Sequence, residues 1–486
     1  MFEKIQTITT LDLVIIGAYL AFMLGVGLWF IRRIKGETDF YVAGRSLGTV
    51  VMMATVCATI IGGSAMMGRA AKAYSEGFVC VMTALPYMIG MFAFSAYSGR
   101  IHQIGVVHNV TSIPELMGRR FGHTAKICMA ILVALAMMGT VAAQISATAT
   151  IIKMVGGGIG ISFEAGAVIA TLIFITYTAA SGLFGVVYTD VVQFFMLLLF
   201  VYILIPLRAT SIVGGLGNFW ANLDKRFVMP HLDMQILSDV IAYLVFTMAG
   251  AEMWQRAFAA KDRKTAQKGM LLGTIAYALT IVLIFYMGLV AQQLLPNVEA
   301  VYGTNDAVIP ALAIHILPSG LTGLALAGIL SVMMSTADSY LLVATQTCVH
   351  DIGMTFRPDM GEKKEIFYSR LFSGLLAAAA LLVALRGGGV YTIITSTFAY
   401  YASAAGLPAF AALYWKKATA PGVVCGMVGG IVTALSWDFL GCPFGLGAAL
   451  PGTGVCAVLL VSVSLLTWKR CPSVMLELPK EPVRES

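Results

Sequence analysis

Thirteen stretches of this chain are apolar over the length that a lipid bilayer demands. A helix needs roughly 20 such residues to cross the hydrocarbon core. The stretches run at about 10–31, 49–74, 77–99, 124–155, 161–181, 185–208, 236–256, 268–295, 321–345, 366–388, 390–415, 418–440 and 446–468, and are called segments 1 to 13. Inside hydrocarbon every backbone N–H and C=O must find a partner within the protein, so a chain of this kind folds as packed helices. The expectation is an all-α integral membrane protein with 13 transmembrane helices. Residues 1–468 read as a single membrane domain, because no connection is long enough to hold a soluble one. Residues 469–486 read as a short, disordered tail.

Composition agrees. The chain is 59% hydrophobic and 11% charged, where a soluble domain carries about 25% charged residues. The net charge of +7 does not point to nucleic acid, because the basic residues sit mostly in short connections. Twenty-three of the 31 Lys and Arg residues fall on one side if the N-terminus lies outside and the C-terminus in the cytoplasm. That is the asymmetry of a multi-pass protein of the cell membrane. The eight cysteines are scattered without a CxxC pair, and the six histidines lie mainly in connections. No metal centre, cofactor site or nucleophile–base set is read from them, so an enzyme is not expected. The first apolar run is too long for a signal-peptide core and reads as a retained span.

Segment 2 contains CATIIGGSAMMG, residues 57–68, centred on Gly62-Gly63-Ser64. Adjacent glycines weaken a helix. A broken membrane helix persists only where its freed backbone groups find partners, and transporters place a cation and a polar solute there. The glycines equally suit a close helix–helix contact. On this stretch alone the two readings stand level.

Ionisable side chains within apolar segments are costly and mark function. Three stand out: Asp190, Glu252 and Asp338. Ser335, Asp338 and Ser339 are spaced i, i+3, i+4 and share a helix face with the oxygen ligands that a hard cation prefers. The plainer reading has the hydroxyls bonding back to their own helix and Asp338 facing water. Glu252 precedes Arg256 by four residues, the spacing of a helical ion pair. Arg69 and Lys72 follow the glycines by about two turns. Arg69 reads as a gate residue or as a side chain that reaches out to water, and for Lys72 the latter is preferred.

FYVAGRSLG (40–48), TSIPELMGRRFG (111–122), GLFGVVYTDVVQ (182–193), WQRAFAAKD (254–262) and MSTADSYLL (334–342) together resemble, in order and spacing, the sodium/solute symporter family. The resemblance runs from about residue 38 to 352. It implies two inverted five-helix repeats, segments 2–6 and 7–11, with broken helices at segments 2 and 7. It also implies sodium as the coupling ion, held by the carbonyls of Ala58, Ile61 and Val332 and the hydroxyls of Ser335 and Thr336. Some members bind a second sodium, which here would use Asp190, Ser335, Asp338 and Ser339.

In that architecture the solute lies beside the break. Gly62, Ala65, Thr83, Tyr87, Gln144, Met248 and Tyr400 are the candidate lining residues. The acidic residue that proline carriers of the family show near the break is absent; Ile60, Gly62 and Ala65 offer no replacement. So apolar a lining disfavours a sugar, whose buried hydroxyls each cost about 1–3 kcal/mol if left unpaired. The expectation is sodium-coupled symport of a small organic solute, leaning to a carboxylate or amino acid, by a protein that works as a monomer in the bilayer. Proton coupling and a transporter-like nutrient sensor are the alternatives.

Overall fold

The computed structural model describes residues 8–30, 37–157, 160–224, 234–295, 297–357, 360–387 and 389–478. Among these it is helical throughout, with one isolated backbone bridge and no strand. Among the described residues nine helices are long and apolar enough to cross a bilayer. Counting the pair Thr49–Ile60 and Ala65–Glu76, which bends by 59°, as one crossing gives ten. The other expected segments are shorter or interrupted. Segments 1 and 5 appear as the apolar helices Thr10–Val26 and Phe163–Thr176. Segment 11 is Val390–Tyr401, a π-helical turn at Ala402–Gly406, then Leu407–Tyr414.

Segments 5 and 6 run into each other without a loop, through a kink at Gly182, at φ 52 and ψ −169. An added Cβ there would lie 2.7 Å from the Phe40 ring and 3.1 Å from its carbonyl. Only glycine combines that backbone with that approach.

Segment 2 breaks where the glycines fall. Helix Thr49–Ile60 ends at Ile61, at ψ 65, and a π-helical turn over Ser64–Gly68 starts the next piece. Segment 7 is interrupted as well: Met234–Phe246 and Ala251–Ala259 flank four non-helical residues. The carbonyls freed there find partners, as buried backbone groups must. Trp254 Nε1 donates to the Met248 carbonyl at 3.1 Å, and the Tyr401 hydroxyl to that of Ala249 at 2.8 Å.

Segment 9, Leu321–Gln346, is the hub. Its apolar stretch is buried along its whole length, and it packs against segments 1, 2, 4, 5 and 10. The quoted motifs tie the ends of the bundle together. Leu47 pairs with Ala260 as an isolated bridge: the Leu47 N–H reaches the Ala259 carbonyl at 3.1 Å, and Lys261 returns the bond to Leu47. Arg120 donates to the carbonyls of Ala411 and Trp415 at 3.0 and 2.5 Å, which cap the helix ending at Tyr414.

The connection 296–320 carries the helices Val298–Tyr302 and Val308–Ile316, with Val308, Leu312 and Ile316 buried as their spacing predicts. The start of the tail differs from expectation. Ser473 donates to the Ala418 carbonyl at 2.6 Å, and Leu476 and Leu478 pack on the core. Residues 479–486, part of the 209–235 connection, and Arg32, Arg33 and Lys35 lie outside the described residues.

Candidate functional site

The two breaks and segment 9 enclose a fully buried polar cluster. Thr55 and Thr59 come from the helix before the first break, Asp190 from segment 6, Arg256 from the helix after the second break, and Ser335, Thr336, Asp338 and Ser339 from segment 9. All are at most 2% exposed. Buried polar groups of this density must satisfy one another, and most do. Asp190 Oδ1 accepts from Ser335 at 2.5 Å, and Oδ2 accepts from Thr55 at 2.5 Å and from Arg256 Nη2 at 3.3 Å. Arg256 Nε donates to Thr55 at 3.0 Å; Nη2 also donates to Ser339 at 2.7 Å and to Thr59.

Thr336 binds the break directly: its hydroxyl donates to the Thr59 carbonyl at 3.2 Å. The last carbonyls of a helix have no intrahelical partner, and segment 9 supplies one to Thr59. On the far side of the break, Gly63 N–H donates to Gln144 Oε1 at 2.6 Å. A Cβ at Gly63 would meet Met333 Sδ at 2.6 Å and Ala147 at 2.7 Å, so the break is clamped between segments 4 and 9.

Beside this cluster, and lined in part by its Thr59 and Thr336, lies a small cavity of about 20 Å³, room for one water. Gly62, Ala65, Arg69, Tyr87, Tyr243 and Tyr340 are among its lining residues, with Tyr277 and Phe398 completing an aromatic wall. The rings brace one another: Tyr87 meets Tyr277 edge-on at 5.7 Å and Tyr243 meets Phe398 edge-on at 5.6 Å between centroids. Arg69 is 4% exposed and lies 5.0 Å over the Tyr243 ring, with Nη1 buried and without a hydrogen-bond partner. A larger apolar cavity, about 520 Å³, lies between segments 1, 4, 5 and 9; none of its described lining residues is charged.

Several expected placements change. Gly62, Ala65 and Tyr87 line the cavity, and Gln144 holds its floor by binding Gly63. Tyr400 does not reach it; its hydroxyl goes to Asp438 at 2.5 Å. Tyr401 is the buried neighbour, and its hydroxyl binds the segment 7 break. From this helix the cavity receives Ile394 and Phe398 instead. Met248 contributes a carbonyl to Trp254, and Thr83 lies beside the Tyr391 hydroxyl at 3.5 Å; neither lines the cavity.

Glu252 does not pair with Arg256, which donates only to its backbone carbonyl, at 3.2 Å. The guanidinium crosses to Asp190, Thr55 and Ser339 instead. Asp338 is fully buried, not facing water. It accepts from the Thr178 hydroxyl, and its Oδ2 has no partner. Lys72 does not simply reach outward: it pairs with Glu76 at 3.4 Å and lies over the Tyr391 ring at 4.7 Å. Arg69 turns inward, onto Tyr243. Sequence reasoning missed Arg256, Thr55, Thr59, Thr178, Tyr243, Tyr277, Tyr340 and Phe398. For Arg256 a signal existed, since a cation near an apolar segment needs a partner.

Comparison with known proteins agrees with this geometry. The sodium/pantothenate symporter of Haemophilus influenzae is 26% identical over 435 residues, which cover 85% of this chain and 87% of that protein. The sodium/glucose cotransporter of Vibrio parahaemolyticus is 26% identical over 479 residues, covering 88% and 85%. The solved structure of a Na+-coupled sialic acid symporter, substrate-bound and outward-open, matches with a TM-score of 0.80 at 18% identity, over 96% of this chain and 99% of that one; at that identity the likeness is one of fold. These relatives are transporters, not enzymes, and support sodium-coupled movement of small solutes across a membrane. The sodium:solute symporter family model matches residues 40–430, and the chain belongs to that family.

Proposed function

We propose that this protein carries a small organic carboxylate together with sodium by alternating access, with its N-terminus outside and its C-terminus in the cytoplasm. The observation that carries the substrate reading is Arg69. A buried guanidinium with an unpartnered nitrogen, in a cavity otherwise walled by aromatic rings, is costly unless an acceptor arrives. A carboxylate matches guanidinium geometry and charge. The aromatic wall suits the apolar body of such a solute.

In this reading sodium is held by the carbonyls of Ala58, Ile61 and Val332 and the hydroxyls of Ser335 and Thr336. The Thr336 bond to the Thr59 carbonyl supports it, since segment 9 hydroxyls already meet the frayed helix end. Sodium there fixes the break and, through Gly62 and Ala65, the cavity wall beside it. Binding of ion and solute is thereby coupled. Segments 2–6 and 7–11 form the two inverted repeats, and the interrupted segments 2 and 7 support that assignment.

The test is uptake into proteoliposomes under a sodium or a potassium gradient, with labelled small carboxylates, amino acids and sugars. Saturable carboxylate uptake that requires sodium is expected. Sodium-dependent sugar uptake without carboxylate uptake would contradict the reading.

A further inference from the structure

Two buried charged side chains around the solute cavity lack a partner, and they carry opposite charges. Arg69 opens the helix Arg69–Glu76, beyond the first break, and Glu252 lies in the first turn of Ala251–Ala259, after the second. They are 4% and 0% exposed. Arg69 Nη1 has no hydrogen-bond partner, and neither has either carboxylate oxygen of Glu252. Among the described residues neither side chain forms an ion pair. Arg256, four residues from Glu252, spends its guanidinium on Asp190, Thr55 and Ser339 and meets only the Glu252 backbone carbonyl, at 3.2 Å.

Two rings stand between the unpartnered groups. Tyr87 and Tyr340 line the cavity together with Arg69. Tyr340 lies against the Glu252 carboxylate without completing a well-formed hydrogen bond, and Tyr87 stands in the field of both Arg69 and Glu252. A solute that brought a carboxylate alone would satisfy the guanidinium and leave Glu252 a buried, uncompensated anion, which is costly. A solute that also brings an ammonium group gives each buried charge its opposite.

We propose that the solute is a zwitterion, an amino carboxylate whose carboxylate meets Arg69 and whose ammonium meets Glu252. This rests on, and narrows, the reading of Arg69 as the group that receives a carboxylate. The cavity as it stands has room for one water, so the solute enters by parting the aromatic wall. Displacing Tyr87 or Tyr340 opens the way from Arg69 to Glu252.

The test is thermal stabilisation of the purified full-length protein in sodium, titrated with amino acids and with the carboxylates that lack their amino groups: alanine and β-alanine against propionate, leucine against isocaproate, phenylalanine against phenylpropionate. The amino acid that binds best is expected to bind at least about tenfold more tightly than its deaminated partner. Deaminated acids that bind as well as the amino acids would overturn the proposal and leave the carboxylate reading intact, whereas no stabilisation by either kind would overturn both. Glu252→Gln keeps the size and removes the charge, and is expected to shrink the affinity ratio towards one; Glu252→Asp keeps the charge and is expected to retain the preference. The ratio is taken within one protein, so a general loosening of the cavity, which weakens both ligands alike, does not move it. An unchanged ratio in Glu252→Gln would also overturn the proposal. If that variant does not fold, the ratio in the unaltered protein decides alone.

Discussion

Arg256 Nη2 lies 3.3 Å from Asp190 Oδ2, with both side chains wholly buried, and this pair joins the helix after one break to the hydroxyl-rich face of segment 9. Removing one partner of a buried pair leaves the other uncompensated, at a cost of about 3–5 kcal/mol. Asp190→Ala is expected to lower the thermal unfolding midpoint of the purified protein far more than Asp438→Ala, whose carboxylate meets Tyr400 at the surface. Equal midpoints for the two variants would mean that the buried pair does not hold the cluster together.

Ser335→Ala combined with Thr336→Ala removes two hydroxyls from the frayed end of segment 2. Each lost ligand group costs about 1–3 kcal/mol, so sodium affinity is expected to fall by at least roughly tenfold. The fold is expected to survive, since Asp190 loses the Ser335 bond but keeps those from Thr55 and Arg256. Titration of sodium-dependent stabilisation measures this, and normal sodium affinity in the double variant would remove Ser335 and Thr336 from the site.

Much of this was legible in the sequence. The apolar segments and the charge asymmetry gave an all-helical membrane chain, and Gly62-Gly63 marked the break because no other dipeptide in segment 2 leaves the backbone so free. The hydroxyl and carboxylate face of segment 9 was legible from its i, i+3, i+4 spacing. What stayed hidden depends on contacts between segments. In segment 11 the cavity takes Ile394 and Phe398, and Tyr400 turns to Asp438. Arg256 turns from Glu252, on its own helix, to Asp190, 66 residues away in sequence, a partner that helical spacing cannot reveal. The aromatic wall comes from several segments, and no local pattern joins Tyr87 to Tyr243, Tyr277 and Phe398.

Gly63→Ala tests how tightly the break is clamped. The added methyl would come within 2.6 Å of Met333 Sδ and 2.7 Å of Ala147 Cβ. Overpacking of this kind costs about 1–3 kcal/mol. Gly454→Ala, with nothing within 4 Å, is the matched control. Unfolding midpoints should fall for the first and hold for the second. If both hold, the break is not under constraint from segments 4 and 9.

Asp306, in the connection 296–320, accepts from the Val390 N–H at 2.9 Å and so caps segment 11. Burial pushes its carboxyl above the usual carboxylate range, against the opposing pull of the bonds from Val390 and Thr304. A carboxyl raised in the folded state binds its proton more tightly there than when unfolded, so its contribution to stability falls as pH rises through that window. Asp306→Asn keeps an acceptor and removes the charge. The advantage of the variant in unfolding midpoint is expected to grow as pH is raised from about 4 and then level off. A constant difference across that range would show that Asp306 does not titrate differently on folding.

Arg69→Gln is expected to raise the KM for a carboxylate solute by roughly tenfold or more, because a hydrogen bond to a charged group contributes about 1.5–3 kcal/mol. Sodium affinity in the absence of solute should change little. A KM that does not move would place the carboxylate elsewhere.

The most direct measurement is thermal unfolding of the purified protein across small carboxylates, amino acids, sugars and nucleobases, each in sodium and in potassium. A ligand that binds only the folded protein raises its midpoint, and coupling between sites makes that rise depend on the ion. The account predicts that sodium alone stabilises, and that a carboxylate adds stabilisation in sodium but not in potassium. Equal midpoints in the two salts, with every ligand effect independent of sodium, would contradict it.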